Sequence, residues 1–266
     1  MKPHIELKPT STTPFDPWKT AAAKSYTDEL LRPEFADRQL RLAEGPNWMR
    51  IVPAKESESE AWMLGLHVLE TATGKFAHPR TFQPAARSVW DSVFGHLRKT
   101  APEKLFSKAN LEGLRLLPKP MSLCWVIARD GTSDNSPHVV RLLMLSGYSG
   151  ERGGTQGMGY QILKLAEDRD ENGGLSHNIV DDDGGVQVCI EKIVGKDSKY
   201  PRYILRGGRQ PSPISDLLAQ LPESEAGVLQ PLENVLRRMT EEEQWERLAR
   251  LMPEDEVAAI REAIER

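Results

Sequence analysis

Apolar and polar residues alternate with period two in several stretches up to about residue 211, and recur every three to four positions after it, so the chain reads as strands followed by helices. NWMRIVPA (47–54) predicts a strand with Trp48 and Arg50 on one face and Met49 and Ile51 on the other. WMLGLHVLET (62–71) predicts a second, turned by Thr73-Gly74-Lys75 into the extended piece KFAHPRTF. MSLCWVIARD (121–130) and VVRLLMLSGY (139–148) are apolar strands joined by a polar loop, and Trp125 is expected to be buried. From Asp181 to Arg209 the pattern is a two-stranded ribbon. Val186, Val188 and Ile190 share a face of its first strand; in its second, Tyr200, Arg202, Ile204 and Arg206 oppose Tyr203 and Leu205.

Helical spacing marks residues 85–99, where Val89, Trp90, Val93, Phe94 and Leu97 form one stripe with Trp90 in the core, and residues 156–169, with Thr155 as the expected N-cap. Near the C-terminus Thr240 and Glu243 form a capping-box signature ahead of Trp245, Leu248 and Met252. Pro253 then starts a further helix with Val257, Ile260 and Ile264 on one side.

These elements predict a mainly β chain with α additions, an α+β fold. Its economical form is a small antiparallel barrel of the oligonucleotide-binding (OB) type with a helical insertion, and a mixed α+β sandwich is the alternative. Three regions are expected: an N-terminal arm (1–44) rich in Pro, Thr and Lys, an OB-like core (45–215), and an acidic helical C-terminal region (216–266).

Charge separates the last region from the rest. Residues 216–266 hold thirteen acids against six Lys or Arg, a charge of −7, whereas residues 1–215 hold twenty-six against twenty-nine, or +3. That asymmetry gives the acidic region a role of its own, either docking partners or covering a basic groove. No apolar run is long enough to span a membrane and MKPHIELKPTSTTPF lacks a signal-peptide core, so the expected location is the cytoplasm. Cys124 and Cys189 lie inside strand patterns without a CxxC and read as reduced core residues.

The candidate chemistry is cationic and aromatic. Residues 192–209 carry six Lys or Arg and one acid, net +5, interleaved with Tyr200 and Tyr203. Guanidinium groups neutralise phosphates and aromatic rings stack bases, which together make a sequence-tolerant single-strand site. The same grouping recurs as Trp48 with Arg50, Arg80 with Phe82, Trp125 with Arg129, and Tyr148 with Arg152. SGYSGERGGTQG (146–157) is a candidate phosphate-contacting loop but matches neither GxxxxGK[ST] nor GxGxxG. His67 and His78 lack further ligands at zinc spacing, and Asp181 to Asp183 read as a turn. No nucleophile, base and oxyanion donor occur together, so neither catalysis nor a cofactor is expected.

WMRIVPA, WMLGLHVLET, the stretch ending in PRTF, and above all DGGVQVCIEKIVGKDSKYPRYIL followed by PSPI resemble the core of the T-even bacteriophage single-stranded DNA-binding proteins over roughly residues 45–215. The resemblance implies an OB-fold core serving replication, recombination and repair, with Arg50, Arg80, Phe82, Lys199, Tyr200, Arg202 and Tyr203 lining a DNA cleft. The family's zinc cysteines are absent, so zinc is not implied, and residues 1–43 lack the strongly basic arm used for cooperativity.

The expectation is a non-enzymatic single-stranded DNA-binding protein contacting DNA through those seven residues together with Arg129, Tyr148 and Arg152, and meeting replication or recombination proteins through residues 216–266. The alternatives are an interaction or scaffold protein working through its acidic helices, and an enzyme acting on nucleotides.

Overall fold

A computed structural model describes residues 27–52, 62–71, 74–83, 85, 87–105, 114–130, 136–147, 157–169, 171–174, 178–195 and 201–265. Strand β1 (Thr27–Asp28) and a 3-10 turn (Pro33–Arg38) precede β2 (Gly45–Val52), β3 (Leu64–Glu70) and β4 (Gly74–Ala77). A second 3-10 turn (Pro79–Thr81) leads to helices α1 (Val89–Thr100) and α2 (Pro102–Leu105). Then come β5 (Lys119–Arg129), β6 (His138–Ser146), α3 (Met158–Glu167), β7 (Val186–Ile193) and β8 (Arg202–Pro211). Five helices follow: α4 (Ile214–Ala219), α5 (Glu223–Ala226), α6 (Leu232–Val235), α7 (Glu241–Ala249) and α8 (Glu254–Glu265).

The eight strands form one sheet, antiparallel except for the short β1–β4 pair. Its trunk is β5, whose one edge pairs along its length with β6. The other edge is shared: Trp125 to Ala128 pair with β2, and Lys119 to Leu123 with β3. Strands β2 and β3 therefore lie end to end, as one interrupted strand. Beyond them the sheet forks, with β7 and β8 continuing from β2 and β4 and β1 from β3. The expected α+β class with an antiparallel sheet is present, and the sheet is open, since no ladder among the described residues joins β8 to β6.

Burial on both sides of the trunk explains its nearly continuous apolar sequence. On one face Trp125, Ile127, Val140 and Leu142 pack against Leu217, Leu221, Leu232 and Leu236 of the C-terminal segment, and against Leu30, Leu31 and Phe35. The Trp125 indole meets the Phe35 ring edge-on at 6.2 Å and donates through Nε1 to the Gln230 carbonyl at 2.8 Å, satisfying its polar end inside an apolar layer. On the opposite face Met49, Ile51, Val126 and Leu143 meet Met158 and Ile162 of α3. A third cluster joins Leu69 and Phe76 of the other prong to the stripes of α1, α7 and α8.

Leu30, Leu31 and Phe35, expected within the arm, are thus core, and the first half of the acidic region is the roof of the trunk. Backbone hydrogen bonds tie the two ends together, with Arg32 N–H donating to the Val235 carbonyl at 2.9 Å and Arg237 N–H to that of Leu30 at 3.0 Å. Glu29 pairs with both Arg237 and Arg247 beside them.

Helix α1 starts at Val89, the first residue of its apolar stripe, rather than at 85 as expected, because Ser88 and Asp91 form a reciprocal capping box there. The Thr240–Glu243 box opens α7 as expected. Helix α3 begins at Met158 with Gly157, not Thr155, as its N-cap. The glycines around this start allow close packing. Gly147 has φ +69°, and a Cβ on Gly159 would overlap the Gly147 carbonyl and the Ser122 hydroxyl, which are themselves bonded at 2.8 Å. We expect Gly159→Ala to lower stability by about 1–3 kcal/mol through overpacking, measured by urea unfolding.

Candidate nucleic-acid interface

Trp48 is placed by its neighbour. The Asn47 side chain accepts from Ala43 N–H at 2.9 Å and donates to the Gly45 and Ile190 carbonyls at 2.9 Å each, which fixes the bend into β2 at Gly45 (φ +92°). From there the ladder sets the faces. Trp48 pairs with Cys189, which pairs with Arg206; Met49 pairs with Val188 and turns inward. Directly opposed residues share a face, so Trp48, Arg206, Ile204 and Arg202 look out on one side of the ribbon, while Tyr203 and Leu205 lie on the other. Trp48 remains 48% exposed, an unusual state for an indole on a strand of the main sheet.

An open groove of about 1280 Å³ crosses this face. One wall is the segment from Ala36 to Glu44 and the other is Gly208 to Ser212 of β8 and its exit, with Trp48 and Gln187 between them and Arg129 and Arg141 at the β5–β6 end. Its lining includes four arginines (Arg41, Arg129, Arg141, Arg209) and three acids (Asp37, Glu44, Asp130). Arg41 and Arg209 have no ion pair with any described residue. Arg141 does, to Asp130 at 3.6 Å and Glu225 at 3.9 Å.

Of the residues expected at the site, Arg129 lines the groove. Arg202 and Tyr203 are exposed, but they stand at the far end of β8, roughly 23 Å along the strand from Arg209 at ~3.3 Å per residue. Arg80 and Phe82 lie elsewhere. Pro79 starts a 3-10 turn in place of a continuing strand, Arg80 pairs with Asp91 Oδ1 at 2.5 Å on α1, and Phe82 sits under the Arg238 guanidinium at 4.5 Å. Tyr148, Arg152, Lys199 and Tyr200 lie outside the described residues.

Arg50 is a correction. It is fully buried, donating through Nε to the Ser212 carbonyl at 3.0 Å, through Nη1 to those of Ile51 at 2.9 Å and Ile179 at 2.5 Å, and through Nη2 to that of Asp181. Burial pulls its pKa below the ordinary value, with Asp182 and Asp181 opposing. A buried guanidinium with four of its five N–H groups on carbonyls is out of reach of phosphate. The sequence pattern missed this because alternation predicts one solvated face, whereas the second half of β2 is buried on both. Trp48, Arg41 and Arg209 also line the groove; the signals in the sequence were an indole two residues after Pro46 at a strand start and the last cation of the basic ribbon.

The remaining candidates resolve structurally. Asp181 Oδ1 accepts from the Asp183 and Gly184 amides at 3.0 and 2.6 Å, which lowers its pKa and orders the loop that reaches Arg50. Burial pushes the Cys124 thiol up to about 12 and raises that of Cys189. The two histidines are neighbours, the His78 amide donating to the His67 carbonyl at 2.8 Å. His78 is fully buried, its Nδ1 accepting from Arg80 N–H at 3.1 Å and its Nε2 lying 3.3 Å from Ser88 Oγ. Burial holds its pKa down to about 4, against the pull of Asp91. Among the described residues no group of three or more His, Cys, Asp or Glu is arranged to hold a metal ion, and no helix is long and apolar enough to cross a membrane.

Two measurements probe this scaffold. Arg50→Met leaves buried carbonyls without donors and should cost about 3–5 kcal/mol in urea unfolding. His78 is neutral in the fold and titrates near 6.5 once unfolded, so the unfolded chain binds the extra proton. Stability should therefore be full above about pH 6.5 and fall as pH drops from there to about 4. His78→Asn, which keeps an acceptor for Arg80 N–H, should flatten that slope.

Comparison with known proteins finds no family model and no curated protein that matches the chain.

Proposed function

We propose that this protein binds single-stranded DNA without catalysing a reaction on it, as its sequence resemblance to the T-even phage proteins implies, and serves replication, recombination or repair in the cytoplasm. The observation that carries the reading is Trp48, held outward on a rigid sheet in a groove whose sides supply Arg41, Arg129 and Arg209. An indole so placed stacks any base, and guanidinium groups beside it that make no ion pair with a described residue meet the backbone on either side. We read the forked sheet as a variant of the OB arrangement, in which a strand lies across an antiparallel sheet rather than along it. The groove here runs in that direction, from β5 over β2 and β7 to β8.

The C-terminal helices suit a supporting role. Their apolar stripes are used within the fold, and Glu241, Glu242, Glu246, Glu254 and Asp255 remain exposed as an acidic face for replication or recombination partners. Oligo-dT should quench tryptophan fluorescence at low salt. Trp48→Ala should remove most of the quench and weaken binding by about 1–3 kcal/mol. Absence of detectable binding by the wild-type chain at low salt overturns the proposal.

A further inference from the structure

The arginines in and around the groove fall into two sets. Arg41, Arg129 and Arg209 make no ion pair with any described residue. One carboxylate from the acidic region binds Arg38 and faces Arg141: Glu225 Oε1 lies 2.5 Å from Arg38 Nη1, and Oε2 lies 3.9 Å from Arg141 Nη1, which itself donates to the Val140 carbonyl at 3.1 Å. Asp130 takes the other side of Arg141 at 3.6 Å. Arg206, next on the ribbon, is paired with Glu191 at 2.7 Å.

Glu225 is not a loose surface acid. Its Oε2 also accepts the Val140 backbone N–H at 2.9 Å, on the edge of β6 that among the described residues is bridged only at Leu142, by Gln39, and its side chain is only 15% exposed. Burial opposes its ionisation, but the Arg38 and Val140 hydrogen bonds outweigh this and keep its pKa below the ordinary value. The carboxylate is therefore a fixed negative charge at the groove's margin.

We propose that Glu225 limits the site to a short run of single strand held through three phosphates, by withholding Arg141 and Arg38 from the ligand. The inference rests on the groove being a single-strand site and assigns which of its cations do the holding. Three neutralised phosphates on a single strand correspond to a slope of log K against log salt of roughly −2. That is a shallow dependence for a nucleic-acid-binding protein, and it places stacking on Trp48 at the centre of the affinity. It also ties the acidic region to the groove through a single residue, since of its carboxylates Glu225 is the one that reaches a groove-lining arginine among the described residues.

The test uses the full chain with an oligo-dT of about six nucleotides, short enough to stay within the groove. Glu225→Gln keeps an oxygen to accept Val140 N–H and removes the charge. Its slope should steepen to roughly −3 and its affinity at low salt should rise, because Arg38 then loses its ion pair and reaches phosphate, while Arg141 keeps only Asp130 at 3.6 Å. Arg141→Gln in the wild-type background should leave the slope unchanged, whereas Arg129→Gln should lower its magnitude by ~0.7. If Arg141→Gln flattens the slope as much as Arg129→Gln, or Glu225→Gln leaves it unchanged with the fold intact by circular dichroism, this assignment is wrong while single-strand binding stands. If no oligonucleotide binds the wild-type chain, the reading of the groove itself falls.

Discussion

A single buried cation holds the ribbon side of this fold in place. The Arg50 guanidinium lies inside the protein with carbonyls of Ile51, Ile179, Asp181 and Ser212 around it, so one side chain of β2 draws together the loop before β7 and the chain leaving β8. Gly185 is required for this, because a Cβ there would occupy the volume of the guanidinium. A charge so placed is tolerated because charge-assisted bonds to carbonyls replace its hydration and two aspartates stand nearby. What depends on it is the far wall of the groove, since Ser212 and Pro211 are carried by the same contact.

The local signals were legible where a period or a cap acts over a few residues. Val89, Trp90, Val93 and Leu97 mark a helix and Thr240 with Glu243 marks the start of another, because neighbours along the chain enforce both. The face of Arg202 and of Tyr203 followed from alternation and agrees with the register. The fate of Arg50 was not legible, since Trp48 and Arg50 share a face by parity and differ only in what lies above them. Arg80 and Phe82 left the expected strand at Pro79, a break whose destination is set by α1 some ten residues later. The groove itself is tertiary: Arg41, Arg129 and Arg209 come from three separate parts of the chain, and no spacing rule joins them.

Charge in this molecule works by subtraction. Acids from several elements neutralise selected cations, and the ones left open define a surface. The acidic region is therefore not a detached counterweight to a basic body. Its residues roof the trunk through Leu217, Leu232 and Leu236, and the stripes of α7 and α8 close the helical cluster on the other prong. A deletion of this region would remove core before it removed charge.

The collinear pair β2 and β3 on one edge of β5 bears on how the chain is made. In a polypeptide leaving the ribosome from its N-terminus, β2 and β3 emerge before the strand that aligns them, and Asn47 waits for Ile190, 143 residues later. β2 has both edges unpaired until β5 emerges and one edge unpaired until β7 does, beside an outward indole, the combination that invites wrong pairing between nascent chains. Pairings this distant in sequence also form slowly. The strand that carries Trp48 is thus the part of the protein most exposed to misassembly during synthesis.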